Sequence, residues 1–205
     1  MFLENCKKAG SIEVICGSMF SGKTEELIRR MKRAVFANQK VAIYKPAIDV
    51  RYSESEVVSH DSHKIASTPI SDPKEMLAAL NEGIDVLGVD EAQFFDSSII
   101  ETVQELANNG IRVIIAGLDT DFLGKPFGPM PSLMAIAEDV LKVHAVCVKC
   151  GSPAQHSHRL SENSDLVVLG EKNIYEPLCR HCYNAAIARE AELTGKLDFP
   201  DEDKQ

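Results

Sequence analysis

The sequence lacks an excess of positive charge: 22 Lys and Arg stand against 31 Asp and Glu in 205 residues, for a formal net charge of −9. That mean field repels nucleic-acid backbones, whose binding rests on clustered Lys and Arg, so no nucleic-acid partner is expected. A small ligand, neutral or escorted by a metal ion, fits better. Long apolar runs are missing too, since nowhere do about 18 apolar residues follow one another. The N-terminus MFLENCKKAG has no apolar stretch behind a basic start, so neither a membrane span nor an export leader is expected, and the expectation is a soluble, cytoplasmic protein. Internal repeats and low-complexity tracts are absent as well. What remains is an ordinary globular composition, 44% hydrophobic and 26% charged, sufficient for one main domain with a small appendage.

Apolar runs rich in Val and Ile recur at IEVIC (12–16), VAIYKP (41–46), IDVLGVDE (84–91), IRVIIAGLD (111–119) and HAVCV (144–148), separated by helical segments. Strands this continuously apolar, alternating with helices, predict an α/β fold with a parallel sheet covered on both faces. The helix TEELIRRMKRAVFANQ places Leu27, Ile28, Met31 and Val35 at helical spacing. Glu25 and Glu26 occupy its first turn, each four residues before an arginine, Arg29 and Arg30. In DPKEMLAALNEG, Asp72 reads as an N-cap, Pro73 as the first helical residue, Glu75 as the closing member of a capping box and Gly83 as the terminator. DSSIIETVQELANNG repeats the scheme with Gly110 at its end. Residues 51–68 are polar and weakly periodic, which predicts a mobile connection outside the core.

Between the first strand and the first helix lies CGSMFSGKT, in which Gly17, Gly22, Lys23 and Thr24 match G-x-x-x-x-G-K-[ST]. In such a loop, backbone N–H groups converge on phosphate oxygens and the helix N-terminus adds partial positive charge. Lys23 then reaches the β- and γ-phosphates and the Thr24 hydroxyl holds Mg²⁺. A chance match on a turn is the competing reading, and the strand–loop–helix context argues against it. VLGVDEAQFF supplies the complementary acids, Asp90 for Mg²⁺ and Glu91 beside it. A glutamate there orients either water in an ATPase or a substrate hydroxyl in a kinase, and its position does not separate the two.

Six cysteines occur, and four form two C-x-x-C pairs, Cys147 with Cys150 and Cys179 with Cys182. Two such pairs make a closed tetrahedral Zn²⁺ site, which is structural because no position remains for water. Cys6 and Cys16 have no such pairing and read as free thiols. The insert between the pairs is 28 residues, beyond the ~15–20 of zinc ribbons. It is acidic, and its LVVLG run followed by Tyr175 reads as extended backbone with one aromatic, able to offer N–H and C=O groups to the edge of a flat heterocycle. With four thiolates completing the metal shell, His156, His158 and His181 read as solvated loop residues.

Taken together these residues resemble the zinc-containing, cytosolic (type II) thymidine kinase family. The markers are GSMFSGKT, DVRY at 49–52, SHD at 59–61, DEAQFF at 90–95, GLDTDF with KPFG within 117–128, and the cysteine pairs enclosing LGxxxxY. The resemblance implies a RecA-like P-loop sheet over residues 1–145, a zinc-ribbon-like lasso domain over 146–190 and an acidic, disordered tail over 191–205. It implies ATP as donor, with Mg²⁺, and thymidine as acceptor at its 5′-hydroxyl, deoxyuridine being a further acceptor. Glu91 then matches the catalytic base, and Thr24 with Asp90 the magnesium site. The loop residues Gly17, Ser18, Met19, Phe20, Ser21, Gly22, Lys23 and Thr24, with Asp49, Arg51, Asp90 and Gln93, match the ATP side. Met19, Leu118, Phe122, Phe127, Tyr175 and the backbone of Val167, Val168, Leu169 and Gly170 match the nucleoside side. A homotetramer and feedback inhibition by thymidine triphosphate are also implied. The sequence departs from relatives mainly in EKNI between Gly170 and Tyr175. Two other functions share these motifs: a P-loop ATPase whose zinc module docks a partner, and a nucleotide-sensing module without chemistry.

Overall fold

The computed structural model describes residues 10–47, 56–57, 65–160 and 174–194. Its centre is a six-stranded, all-parallel sheet built from β1 (Ser11–Cys16), β2 (Val41–Pro46), β5 (Thr68–Ile70), β6 (Val86–Val89), β7 (Arg112–Gly117) and β8 (Asp139–Lys142), in the spatial order β5-β2-β6-β7-β1-β8. Between β2 and β5 lies a short antiparallel ribbon, β3 (Glu56–Val57) with β4 (Ile65–Ala66). The covering helices are α1 (Lys23–Phe36), α2 (Ala79–Glu82, entered through a 3₁₀ turn), α3 (Ser98–Asn108) and α4 (Met130–Ile136).

Period-two alternation decides which residue faces which layer. Ile15, Ile43, Val86, Ile114 and Ala116 pack against Leu27, Ile28, Met31 and Ala34 of α1. Val14, Leu87, Val89, Val113 and Ile115 point the other way, onto Met76, Ile99, Val103, Leu106, Met130 and Leu133. Each large aliphatic side chain so buried contributes about 1.5–3 kcal/mol. Both faces being covered explains the near-continuous apolar runs. The Asp72 capping box forms as expected, on the 3₁₀ turn that precedes α2.

Five local expectations are corrected. HAVCV does not join the sheet. The sixth strand is β8, a mostly exposed edge strand whose sequence DVLK carries no apolar run to betray it. Ala145–Val146 instead forms β9, paired antiparallel with β10 (Pro153–Ala154). Val35 is 50% exposed and Ala34 takes its place on the buried face of α1. Glu26, not Glu25, holds both Arg29 and Arg30. The connection at 51–68 contributes the β3–β4 ribbon and the start of edge strand β5.

Beyond β9 and β10, the C-terminal module contains the antiparallel pair β11 (His156–Arg159) and β12 (Tyr175–Leu178), then α5 (Arg180–Thr194), which runs four residues past the boundary set at 190. Its small core is Ala145, Cys147, Ala154, Leu178 and Tyr183. The histidines give the fifth correction: His156 and His158 are 7% and 5% exposed. All four residues of β11 are buried, because the strand is covered on both faces.

Because the sheet is parallel, the carboxyl ends of β1, β6 and β7 open on one edge. The phosphate loop follows β1, Asp90 and Glu91 follow β6, and Leu118 follows β7. Strand β7 lies between β1 and β6, so loop and acids face each other across one strand.

Candidate active site

The loop between β1 and α1 is closed by its own side chains. The Ser18 carbonyl accepts from Lys23 Nζ at 2.9 Å and from Ser21 Oγ at 2.7 Å. Gly17 has φ 148°, and a Cβ there would collide with the Val143 carbonyl. Only glycine therefore lets the loop leave β1 at this point. Thr24, in the first turn of α1, donates to Asp90 Oδ2 at 3.1 Å. Asp90 is 6% exposed. Burial, then the Glu91 charge, pushes its carboxyl up to about 7, against the Thr24 hydroxyl, the Glu91 backbone N–H and Lys23. A dication would supply the counter-charge that this buried carboxylate needs, and Thr24 Oγ1 with Asp90 fits Mg²⁺, a hard cation held by few protein oxygens.

Glu91 sits at φ 52°, ψ 40°, a left-handed backbone that is rare for a residue with a side chain. Strain of this kind costs about 1–3 kcal/mol and is found at functional sites. Gln93 holds the carboxylate, its Nε2 donating to Glu91 Oε2 at 2.6 Å. The same amide accepts at Oε1 from the Leu118 backbone N–H at 2.9 Å. Gln93, 2% exposed, thus spans from the acid after β6 to the strand end of β7. The family resemblance puts Gln93 on the ATP side; its described bonds run to Glu91 and Leu118.

The aromatic residues gather beyond Leu118. Phe127 is buried and stands edge-on to Phe94 at 5.8 Å. Phe122 lies in a tight turn in which Asp121 N–H donates to the Lys125 carbonyl and the Asp121 carboxylate accepts from the N–H groups of Leu123 and Lys125. Arg159 of β11 covers the Phe122 ring, its guanidinium carbon 3.7 Å from the centroid. It also donates to the Tyr175 hydroxyl, from Nη2 at 2.7 Å and Nε at 3.1 Å. Tyr183 of α5 donates to the Phe122 carbonyl at 2.8 Å. Asp49, Arg51 and the segment Val167–Gly170 lie outside the described residues.

The C-terminal module touches the phosphate loop as well. Ser18 Oγ donates to the Ala154 carbonyl at 3.3 Å, and the Met19 N–H donates to Ser157 Oγ at 3.0 Å. Ser157, Arg159 and Tyr183 were not picked out from the sequence. Ser157 carries no signal there, whereas Arg159 is one of only two basic residues in an acidic insert.

The four paired cysteines meet, their sulfurs all within 4.8 Å of one another, with Cys150 and Cys179 3.6 Å apart. A tetrahedron of ~2.3 Å Zn–S bonds has edges of about 3.8 Å, so the set fits zinc. Burial pushes the Cys147 thiol up, but backbone N–H groups of Cys179, Lys149 and Cys150 outweigh it and bring it to about 6. Cys182 is pushed up to about 12 by burial and by the surrounding sulfurs. Full ionisation of the four therefore calls for a cation. Nearby, His156 stacks on Tyr183 at 4.4 Å, and His158 bridges Glu176 and Glu190 at 3.3 and 2.9 Å.

Comparison with known proteins follows the same lines. The family model for thymidine kinase matches residues 10–183. A thymidine kinase of Bacteroides thetaiotaomicron is 66% identical over 181 residues, 88% of this chain and 90% of the relative. One from Bacteroides fragilis (strain YCH46) is 63% identical over 190 residues, 93% of this chain and 95% of the relative. One from Rhodothermus sp. (strain ITI 518) is 54% identical over 183 residues, covering 89% and 85% of the two chains.

Proposed function

The chain belongs to the thymidine kinase family, and from that premise we propose that it transfers the γ-phosphoryl group of ATP to the 5′-hydroxyl of thymidine, with deoxyuridine as a second acceptor. The observation that carries this reading is the bridge made by Gln93. It ties the acid after β6, on the phosphate side, to the Leu118 backbone, on the aromatic side. An acid so placed lies between a donor and an acceptor, whereas an ATPase needs no aromatic wall there.

The residues divide the work as follows. The backbone of residues 17–22 and Lys23 take the β- and γ-phosphates, where developing negative charge meets fixed N–H donors. Magnesium, held by Thr24 and Asp90, would neutralise charge on the same oxygens. Glu91 accepts the hydrogen bond of the 5′-hydroxyl and takes its proton late, which an ordinary carboxylate can do in a loose transition state. Met19, Leu118, Phe122, Phe127 and Tyr175 enclose the nucleoside, and the backbone at 167–170 reads the pyrimidine edge. Asp49 and Arg51 act near the phosphates. Zinc on Cys147, Cys150, Cys179 and Cys182 fastens the two ends of the segment that closes over the base.

Three further properties belong to this reading. Thymidine triphosphate inhibits by laying its base in the acceptor pocket and its phosphates toward the loop, and the contact between Met19 and Ser157 makes the two subsites contiguous. A homotetramer belongs to the reading through the family resemblance, and exposed Val35 and Phe36 at the end of α1 leave apolar surface for a contact between copies. The cytoplasm, which keeps thiols reduced, suits the cysteine cluster; among the described residues no helix is long and apolar enough to cross a membrane.

The test is incubation with Mg²⁺-ATP and a panel of nucleosides, with products resolved by chromatography. Thymidine monophosphate is expected in wild type, with turnover lowered at least ~100-fold in Glu91→Gln. ADP released without nucleoside and unchanged by thymidine would establish an ATPase instead, and binding of both ligands without product a sensor.

A further inference from the structure

We infer that Arg159 is a positioning residue for the acceptor, setting the separation of two pocket walls that belong to different parts of the chain. This rests on the reading of Phe122 and Tyr175 as nucleoside-pocket residues. Phe122 lies in the turn after β7, in the P-loop domain, and Tyr175 opens β12, in the zinc module. The register of the ribbon places Arg159 directly opposite Tyr175. From there its guanidinium does two things at once, covering the Phe122 ring at 3.7 Å and donating through two N–H groups to the Tyr175 hydroxyl.

A guanidinium only 6% exposed is costly to bury. Its planar face stacks on one ring while its in-plane donors reach the other residue, a combination that the point charge of lysine does not offer. The Phe122 side of the clamp is itself rigid, pinned by the Asp121 turn and by the Tyr183 hydroxyl on the Phe122 carbonyl. Tyr175 is held at its far end, by its hydroxyl, which fixes the direction of the ring's long axis. Arg159 thus determines how far apart the two rings stand before any nucleoside arrives. That is preorganisation of the acceptor pocket, and it acts on acceptor binding while leaving the donor loop alone.

Steady-state kinetics with thymidine and ATP varied separately test this in wild type, Arg159→Lys, Tyr175→Phe and the double variant. For Arg159→Lys the thymidine KM rises about 10- to 100-fold, from loss of the ring stack and of a charge-assisted hydrogen bond. The ATP KM stays within about 2-fold and kcat within about 3-fold. The double variant is scarcely worse than the more affected single, since both lose one interaction. A merely structural role would instead move both KM values together in the folded variant, and that result overturns the inference. Should Arg159→Lys fail to fold, Tyr175→Phe removes only the acceptor oxygen; an unchanged thymidine KM in that variant overturns the inference. Wild-type protein that makes no thymidine monophosphate overturns the thymidine reading and this inference with it. A wild type that does, beside an Arg159→Lys enzyme with unaltered thymidine KM, overturns this inference alone.

Discussion

Replacing Gln93 by leucine removes an amide that makes two described hydrogen bonds and leaves a side chain of similar volume. One bond, 2.6 Å to the Glu91 carboxylate, is charge-assisted, and such bonds contribute about 1.5–3 kcal/mol. Glu91 is on a strained left-handed backbone, so the loss falls on the orientation of the group that is to receive the 5′-hydroxyl proton. If the full amount is lost in the transition state, kcat drops about 10- to 100-fold. The other bond, 2.9 Å from the Leu118 N–H, has a different consequence. Gln93 is 2% exposed, so the N–H is left without that acceptor in a dry place, at about 1–3 kcal/mol. For a chain of this size that lowers Tm by about 2–12 °C. Kinetics of thymidine phosphorylation at saturating ATP, run well below the new Tm, read the first effect, and thermal melting reads the second. A variant with lowered Tm but kcat within 2-fold of wild type would refute the argument that Gln93 orients the base, leaving it a purely structural residue.

Two other perturbations follow from the same geometry. Glu13 on β1 is held by Arg30 and Arg112; burial raises its carboxyl, but the two guanidinium partners outweigh burial and keep it below the usual carboxylate range. A lowered carboxylate pKa means that the folded state binds fewer protons, so its stabilisation is complete above about pH 4.5 and is lost as pH falls through the folded value. Glu13→Gln therefore costs about 2 kcal/mol at pH 7, less than a fully buried pair because Arg112 is partly exposed. The gap to wild type narrows as the pH falls below about 4.5 in melting experiments, and a gap that stays constant as the pH is lowered would contradict this. For the metal, elemental analysis is expected to find one zinc per chain, and Cys147→Ser to lose it. The thymidine KM then rises most, and the ATP KM rises to a smaller degree, because Ala154 and Ser157 of the zinc module hold Ser18 and Met19 of the loop. Zinc-free protein with wild-type thymidine KM would remove the staple from the account.

Much of the fold was legible because its determinants are local. The capping box at Asp72, the glycine at the end of the following helix, and the strand–loop–helix around Gly17 each depend on residues within a few positions of one another. The two C-x-x-C pairs carry their own geometry, so the cysteine cluster could be anticipated although 28 residues separate them. Where a strand's partners are distant, the signal weakens. DVLK gives no signal because an edge strand needs no apolar run, and HAVCV reads as a sheet strand because apolar residues lining a small module look the same. His156 and His158 read as solvated because polar residues near a filled metal shell ordinarily are. Their burial comes from α5, whose Tyr183 ring lies against both imidazoles and whose Glu190 pairs with His158, a contact that no local pattern encodes.

The site divides in the same way. The sequence by itself determined which chemistry is present: a phosphate loop, a metal-binding aspartate with a glutamate beside it, and four thiolates in pairs. These are spacings along the chain, and backbone geometry makes them act together. Only the tertiary structure decided how the donor and acceptor halves are joined. Gln93 spanning from Glu91 to Leu118, Ser157 reaching Met19 from 138 residues away, and Arg159 lying between Phe122 and Tyr175 are contacts between elements brought together by the parallel sheet and the stapled module. Hydrogen bonds and ring contacts depend on distance in space, and for these residues distance in sequence says nothing about it.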